Sequence, residues 1–138
     1  DINGALRAGG NHPSTKVIDS GIAKHRAKED MVLARGFKSN ALEAMVGSNP
    51  EALLKPGVKF TDKGYVSTTR KAETAENFAG FGKGYAMKVS VKKGSTIAPV
   101  RHLSKHKGED EYVLPRNSTF RVSAFDKINR IIYVDLVQ

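Results

Sequence analysis

Cysteine and tryptophan are both absent from this chain of 138 residues. Without cysteine there is neither a disulfide framework nor a thiolate metal site. The histidines (His12, His25, His102 and His106) stand at no zinc-type spacing with carboxylates, so no metal centre is expected. No run approaches the roughly 20 apolar residues of a helical membrane span, and no signal peptide is visible. A first residue of Asp1 rather than Met reads as a piece processed or cut from a longer protein. Acids are scarce as well: 14 Asp and Glu against 23 Lys and Arg leave a formal net charge of +9. That balance suits an acidic partner such as nucleic acid, a membrane surface or an acidic protein face. It reflects few acids rather than clustered bases, and basicity alone decides nothing.

What acid there is concentrates in Glu109-Asp110-Glu111. An acid-free basic run (Arg101, His102, Lys105, His106, Lys107) precedes it, and the apolar Tyr112-Val113-Leu114 follows. The acids therefore sit where a charged loop becomes a strand, and period-2 alternation sends Glu109 and Glu111 to one face. Paired carboxylates raise each other's proton affinity and serve acid–base or cation-stabilising chemistry. On these residues alone, a solvated edge that blunts sheet aggregation is the commoner explanation.

The remaining chain is patterned as one domain, residues 1–138, with helices mostly in its first half and strands mostly in its second. Asp1 to Pro13 reads as the tail of a helix entering a loop, and Ser14 or Thr15 can cap a helix reaching about Glu29. Met31-Val32-Leu33-Ala34 reads as a buried strand with Arg35-Gly36-Phe37 at its tip: a fixed guanidinium beside backbone that a ligand can approach. Asn40 and Asn49-Pro50 start two short helices. Val58 and Phe60 are extended, Asp62-Lys63-Gly64 turns, and Tyr65 to Thr69 forms a hydroxyl-rich strand with Tyr65, Ser67 and Thr69 on one face. Ala72, Ala75 and Phe78 or Ala79 outline a short helix, followed by Gly80-Phe81-Gly82-Lys83-Gly84. That glycine-rich loop lacks the spacing of a phosphate-binding P-loop and offers Phe81 as a stacking platform or a plug. Tyr85 to Val91 alternates as a half-buried strand, and Phe120–Phe125 with Arg130–Val137 closes a hairpin. About seven strands result, in an α+β domain with largely antiparallel sheets.

Three separated pieces now fall into line: a strand ending in Arg35-Gly36, a strand ending in Ser67-Thr68-Thr69, and Glu109-x-Glu111 leading into Tyr112-Val113-Leu114-Pro115-Arg116. In this order they resemble the arginine, Ser-Thr-Ser and Glu-x-Glu signature of bacterial and phage mono-ADP-ribosyltransferase toxins. Ile2-Asn3 with Leu6-Arg7, Val91-Lys92-Lys93-Gly94-Ser95 and Thr119-Phe120-Arg121-Val122 also match pieces of that family, so the resemblance covers nearly the whole chain. The middle motif reads Ser-Thr-Thr here, which keeps a hydroxyl. The family usually has more helix before Ile2-Asn3, so part of the cleft's helical side is either trimmed here or minimal.

The resemblance implies two packed, mainly antiparallel sheets forming an NAD cleft, flanked by helices from the N-terminal half. It implies transfer of ADP-ribose from NAD, without a metal, to an acceptor with release of nicotinamide. The implied catalytic set is Glu111, Glu109 and Ser67, and the implied cofactor-binding set is Arg35, Gly36, Ser67, Thr68, Phe81 and Glu111. Cleaving the nicotinamide–ribose bond leaves an oxocarbenium-like cation, which a fixed carboxylate stabilises; Glu111 takes that part and grips the ribose. Ser67 holds Glu111 by a hydrogen bond, with Thr68 or Thr69 supporting the strand. Arg35 pairs with the pyrophosphate, Gly36 offers its backbone to the nicotinamide amide, and Phe81, or alternatively Phe78, stacks on the ring. Glu109 orients the attacking nitrogen; glutamate there goes with arginine acceptors in the family. The implied partner is a target protein with an acidic surface read by the Arg101–Lys107 loop, or an immunity protein if the toxin is interbacterial, with no membrane. The implied route is secretion or injection, with action in the cytoplasm of a target cell. Two other readings stay open: a nucleic-acid acceptor at the same site, and a basic binding module on this fold without activity.

Overall fold

The computed structural model describes residues 2–73, 76–77, 84–102 and 110–138. Helices α1 (Ile2–Arg7), α2 (Thr15–Ala23), α3 (Ser39–Val46) and α4 (Pro50–Leu53) precede or interrupt the first strands. The strands are β1 (Met31–Lys38), β2 (Lys59–Asp62), β3 (Val66–Thr69), β4 (Gly84–Val91), β5 (Ala98–Pro99), β6 (Glu111–Leu114), β7 (Ser118–Asp126) and β8 (Ile131–Val137). The α+β expectation holds, with eight strands among the described residues rather than seven.

Two boundaries move from where the residues alone put them. Helix α2 stops at Ala23 instead of about Glu29. Beyond it the backbone is claimed by another partner: Ala27 N–H donates to Ser95 O at 2.8 Å and Gly94 N–H to Ala27 O at 2.8 Å. Strand β1 does not end at Ala34; it pairs with β4 along its whole length, from Met31↔Val91 to Lys38↔Gly84. Phe37, buried on the core side, makes that extension worthwhile. Arg35 consequently lies inside a strand and not at its tip.

All strands join one hydrogen-bonded ladder in the order β2-β7-β8-β4-β1-β3-β6-β5, antiparallel throughout except for β4 beside β8. Two packed sheets arise from this single ladder because it must fold over. In a flat sheet, five steps of about 4.8 Å would part β2 from β3 by about 24 Å. The chain covers the distance from Asp62 to Val66 in four residues, about 14 Å at most. The same holds for β6 and β7, joined by Pro115 to Asn117. The two halves therefore face each other, and Leu33, Phe60, Val66, Met87, Leu114, Phe120 and Ile132 share one buried cluster.

Helices α1 and α2 are fastened to the β2–β3 turn by polar contacts. Asn3 brackets the Tyr65 backbone, accepting its N–H at 2.8 Å and donating to its carbonyl at 3.2 Å. The Tyr65 hydroxyl donates to Asp19 Oδ1 at 2.6 Å, while Arg116 Nε holds Oδ2 at 2.9 Å. Burial and the Asp19 carboxylate push the Tyr65 phenol well above its ordinary pKa. Tyr65→Phe is expected to lose about 1–2 kcal/mol of stability, read as a lower urea midpoint at unchanged slope.

Candidate active site

Strands β1 and β3 touch through one register pair, Ala34↔Thr69. Past that pair they separate, and the Arg35 side chain spans the opening: its Nη1 donates to the Ser67 carbonyl at 2.9 Å. A side chain thus supplies the hydrogen bond that a strand partner would otherwise give. Gly36, opposite Ala86 on β4, follows directly and keeps the backbone here free of side-chain bulk.

On the other side of β3 the ladder is regular: Val66↔Leu114, Ser67↔Val113, Thr68↔Tyr112 and Thr69↔Glu111. Directly paired antiparallel residues share a face, so Ser67, Thr69 and Glu111 stand together, with both Ser67 and Glu111 exposed. Ser67 and Glu111 are diagonal neighbours, about 7 Å apart at the backbone. The expected Ser67–Glu111 hydrogen bond is not formed among the described residues, although a glutamate side chain is long enough to span a diagonal pair. Thr68 points to the buried side, where its hydroxyl donates to Tyr112 O at 2.9 Å and fastens β3 to β6. Asp110 turns away from this face and pairs with Lys71 at 3.7 Å. Glu109, Phe78 and Phe81 lie outside the described residues, as do residues 103–107 of the basic loop.

Beside Arg35 lies a cleft of about 290 Å³, lined by Arg7, Arg35, Phe37, Ala41, Ala44, Met45, Thr61, Asp62 and Lys63. One side is apolar, from β1 and α3; the other is ionic, from α1 and the end of β2. Arg7 reaches the cleft because Asp62 clamps it, Nε to Oδ1 at 3.0 Å and Nη2 to Oδ2 at 3.1 Å. Asp62, only 3% exposed, also accepts the Gly64 N–H at 2.8 Å, so the turn and the clamp share one carboxylate. With Arg7 neutralised, Arg35 has no acid of its own. Its Nε is buried without a hydrogen-bond partner among the described residues. Burial first, then the Arg7 charge, pull the Arg35 pKa below its ordinary value, and Asp62 offsets this in part. A partly desolvated guanidinium lining a cleft beside Lys63 suits an anion.

Arg7, Asp62 and Lys63 were visible in the chain only as a helix end and a turn. The available signal was Asp62-Lys63-Gly64 itself, since an aspartate two residues before a glycine often accepts the turn's N–H.

The model of the family described as ADP-ribosyltransferase exoenzyme matches residues 1–135. The chain belongs to that family. Among curated proteins, an NAD(+)–arginine ADP-ribosyltransferase of Enterococcus faecalis is 28% identical over 115 residues, covering 80% of this chain. This chain spans only 21% of the length of that relative. Among solved structures, the Clostridium limosum C3 exoenzyme superposes with a TM-score of 0.75 at 27% identity, over 99% of this chain and 78% of that one. C3stau2 of S. aureus, solved with NAD, shares the fold at a TM-score of 0.68 and 21% identity, over 90% of this chain and 69% of that one. The exoenzyme family thus supplies the frame into which the split between β1 and β3, the cationic cleft and the Glu111 edge fall. In this member, Asp62→Ala is expected to cost about 2–3 kcal/mol by chemical denaturation, because it strips the acceptor from both Arg7 and the Gly64 N–H.

Proposed function

We propose that this exoenzyme domain binds NAD across the β1–β3 opening and transfers its ADP-ribose to an arginine of a target protein. The observation that carries the proposal is the Arg35 guanidinium, held by Ser67 O at the edge of a cationic cleft, beside the strands that carry Ser67 and Glu111. Bound there, NAD supplies a glycosidic bond whose cleavage frees nicotinamide. Arg35 and Lys63 neutralise the pyrophosphate, and the apolar wall of Ala41, Ala44 and Met45 takes the adenosine side. Gly36 lets the nicotinamide amide approach the backbone, and Phe81 covers the ring. Thr68 holds β3 and β6 in register, which fixes the spacing of Ser67 and Glu111. The Glu111 carboxylate stabilises positive charge arising on the ribose, the kind of preorganised electrostatic help that dominates such reactions.

Glu109 orients the acceptor. The Enterococcus faecalis relative, an NAD(+)–arginine ADP-ribosyltransferase, agrees with glutamate at this position. A basic approach from Arg101 to Lys107 suits a target protein with an acidic surface, or an immunity protein that blocks the site. The domain acts in the cytoplasm of a target cell after secretion or injection.

The test is nicotinamide release. Glu111→Gln should slow it by about 10²–10³-fold with NAD affinity nearly unchanged. Equal release by both proteins would remove the catalytic assignment. Arg35→Lys should raise the KM for NAD about tenfold, since an ammonium cannot hold Ser67 O and the pyrophosphate together. Glu109→Ala should abolish transfer to an arginine acceptor while NAD hydrolysis persists; undiminished transfer by that variant refutes the role given to Glu109.

A further inference from the structure

Arg130 has a backbone that a side-chain-bearing residue seldom adopts, with φ at 58° between β7 and β8. It is also among the most fully engaged side chains described. Its guanidinium lies over the Tyr85 ring at 4.0 Å from the centroid. Nε donates to Gly84 O at 2.6 Å, Nη2 donates to Ser39 Oγ at 3.2 Å, and Nη1 faces Glu51 Oε1 at 3.9 Å. Tyr85 closes the circle by donating its own hydroxyl to the same Glu51 oxygen at 3.4 Å.

These partners belong to different elements. Gly84 and Tyr85 begin β4, Ser39 begins α3, and Glu51 lies in α4. Arg130 therefore ties the α3–α4 pair to the sheet at the end where β1 finishes. Helix α3 forms the apolar wall of the cleft through Ala41, Ala44 and Met45. Leu42, fully buried, anchors this helix to the core, with Met45 and Val46 packed against the same cluster. Lys38, the N-cap residue of α3, makes no side-chain capping bond and is held by its β1 pairing with Gly84, and Arg130 adds a bond to Ser39 at that helix start.

We infer that Arg130 is a positioning residue for the NAD cleft, setting the distance between the α3 wall and Arg35. The inference rests on the reading of this cleft as the NAD site. No atom of Arg130 lines the cleft, so its effect reaches the ligand only through α3. Ser67 and Glu111 stand on β3 and β6, which Arg130 does not touch, so loss of the clamp should weaken NAD binding and spare the bond-breaking step.

The variants follow from the backbone. Arg130→Asn suits the left-handed conformation and removes the clamp, so the fold should survive. Arg130→Lys keeps the charge but cannot serve Gly84, Ser39 and Tyr85 at once. NAD affinity by calorimetry and nicotinamide release are measured for each, with circular dichroism to verify folding. For Arg130→Asn the dissociation constant and KM should rise about tenfold with kcat within about twofold. Arg130→Lys should recover only part of that loss. Ser39→Ala should shift KM in the same direction by a smaller factor. A folded Arg130→Asn variant with wild-type affinity and KM, or one whose kcat falls as far as kcat/KM, overturns the inference. If the wild-type chain itself fails to bind NAD, the cleft reading falls first and this role with it.

Discussion

The site exists because two neighbouring strands refuse to stay paired. Strands β1 and β3 meet at Ala34 and Thr69 and then diverge, which leaves backbone groups that a continuous ladder would have used. Arg35 satisfies one of them, the Ser67 carbonyl, and in doing so is held inside the opening with its Nε unused. Buried donors in proteins are almost always satisfied, so an unsatisfied one beside this split singles the position out. The folded-over ladder produces the split, and Gly36 keeps it open. The Asp62–Arg7 clamp leaves the surplus charge of the cleft to Arg35 and Lys63.

Electrostatics are apportioned with some care in a chain this basic. Asp62 and Asp19 are spent inside the structure, on Arg7 and on Tyr65 with Arg116. Asp110 and Glu29 are committed at the surface to Lys71 and Arg70. Glu111 is one of several acids without an ion pair among the described residues, and it is exposed at a strand start. An acid left free among so many bases is available for a cation that forms transiently.

Much of this was legible from the chain. Alternation in Tyr85–Val91 and Ile132–Leu136 marked the inward faces, and the Arg35, Ser67 and Glu111 pieces sat in the family's order. Less legible was anything set by pairing between distant segments. Arg35 looked like a strand tip because Arg-Gly breaks an apolar run, but pairing with β4 carries the strand three residues further, to Lys38. The extent of α2 misled for a similar reason, since the Lys93-Gly94-Ser95 turn captures Ala27. Arg7 and Asp62 are 55 positions apart, and nothing local to either announces the clamp. The Ser67–Glu111 hydrogen bond was inferred from the company these residues keep, whereas the register offsets them along the face.

The position of β8 in the ladder bears on how the protein is made. It is the last strand in sequence, yet it sits between β7 and β4, so it alone joins the β2–β7 ribbon to the other five strands. A chain emerging amino end first can pair β4 with β1 early but holds two unconnected groups of strands until Ile131–Val137 arrives. The parallel β4–β8 contact closes a loop of some 45 residues, the kind of long-range pairing that forms late and slowly. Up to that moment the two halves of the cleft, and with them Arg35 and its α3 wall, are not held in place. The keystone that completes the sheet also completes the cleft, which a partly made chain lacks.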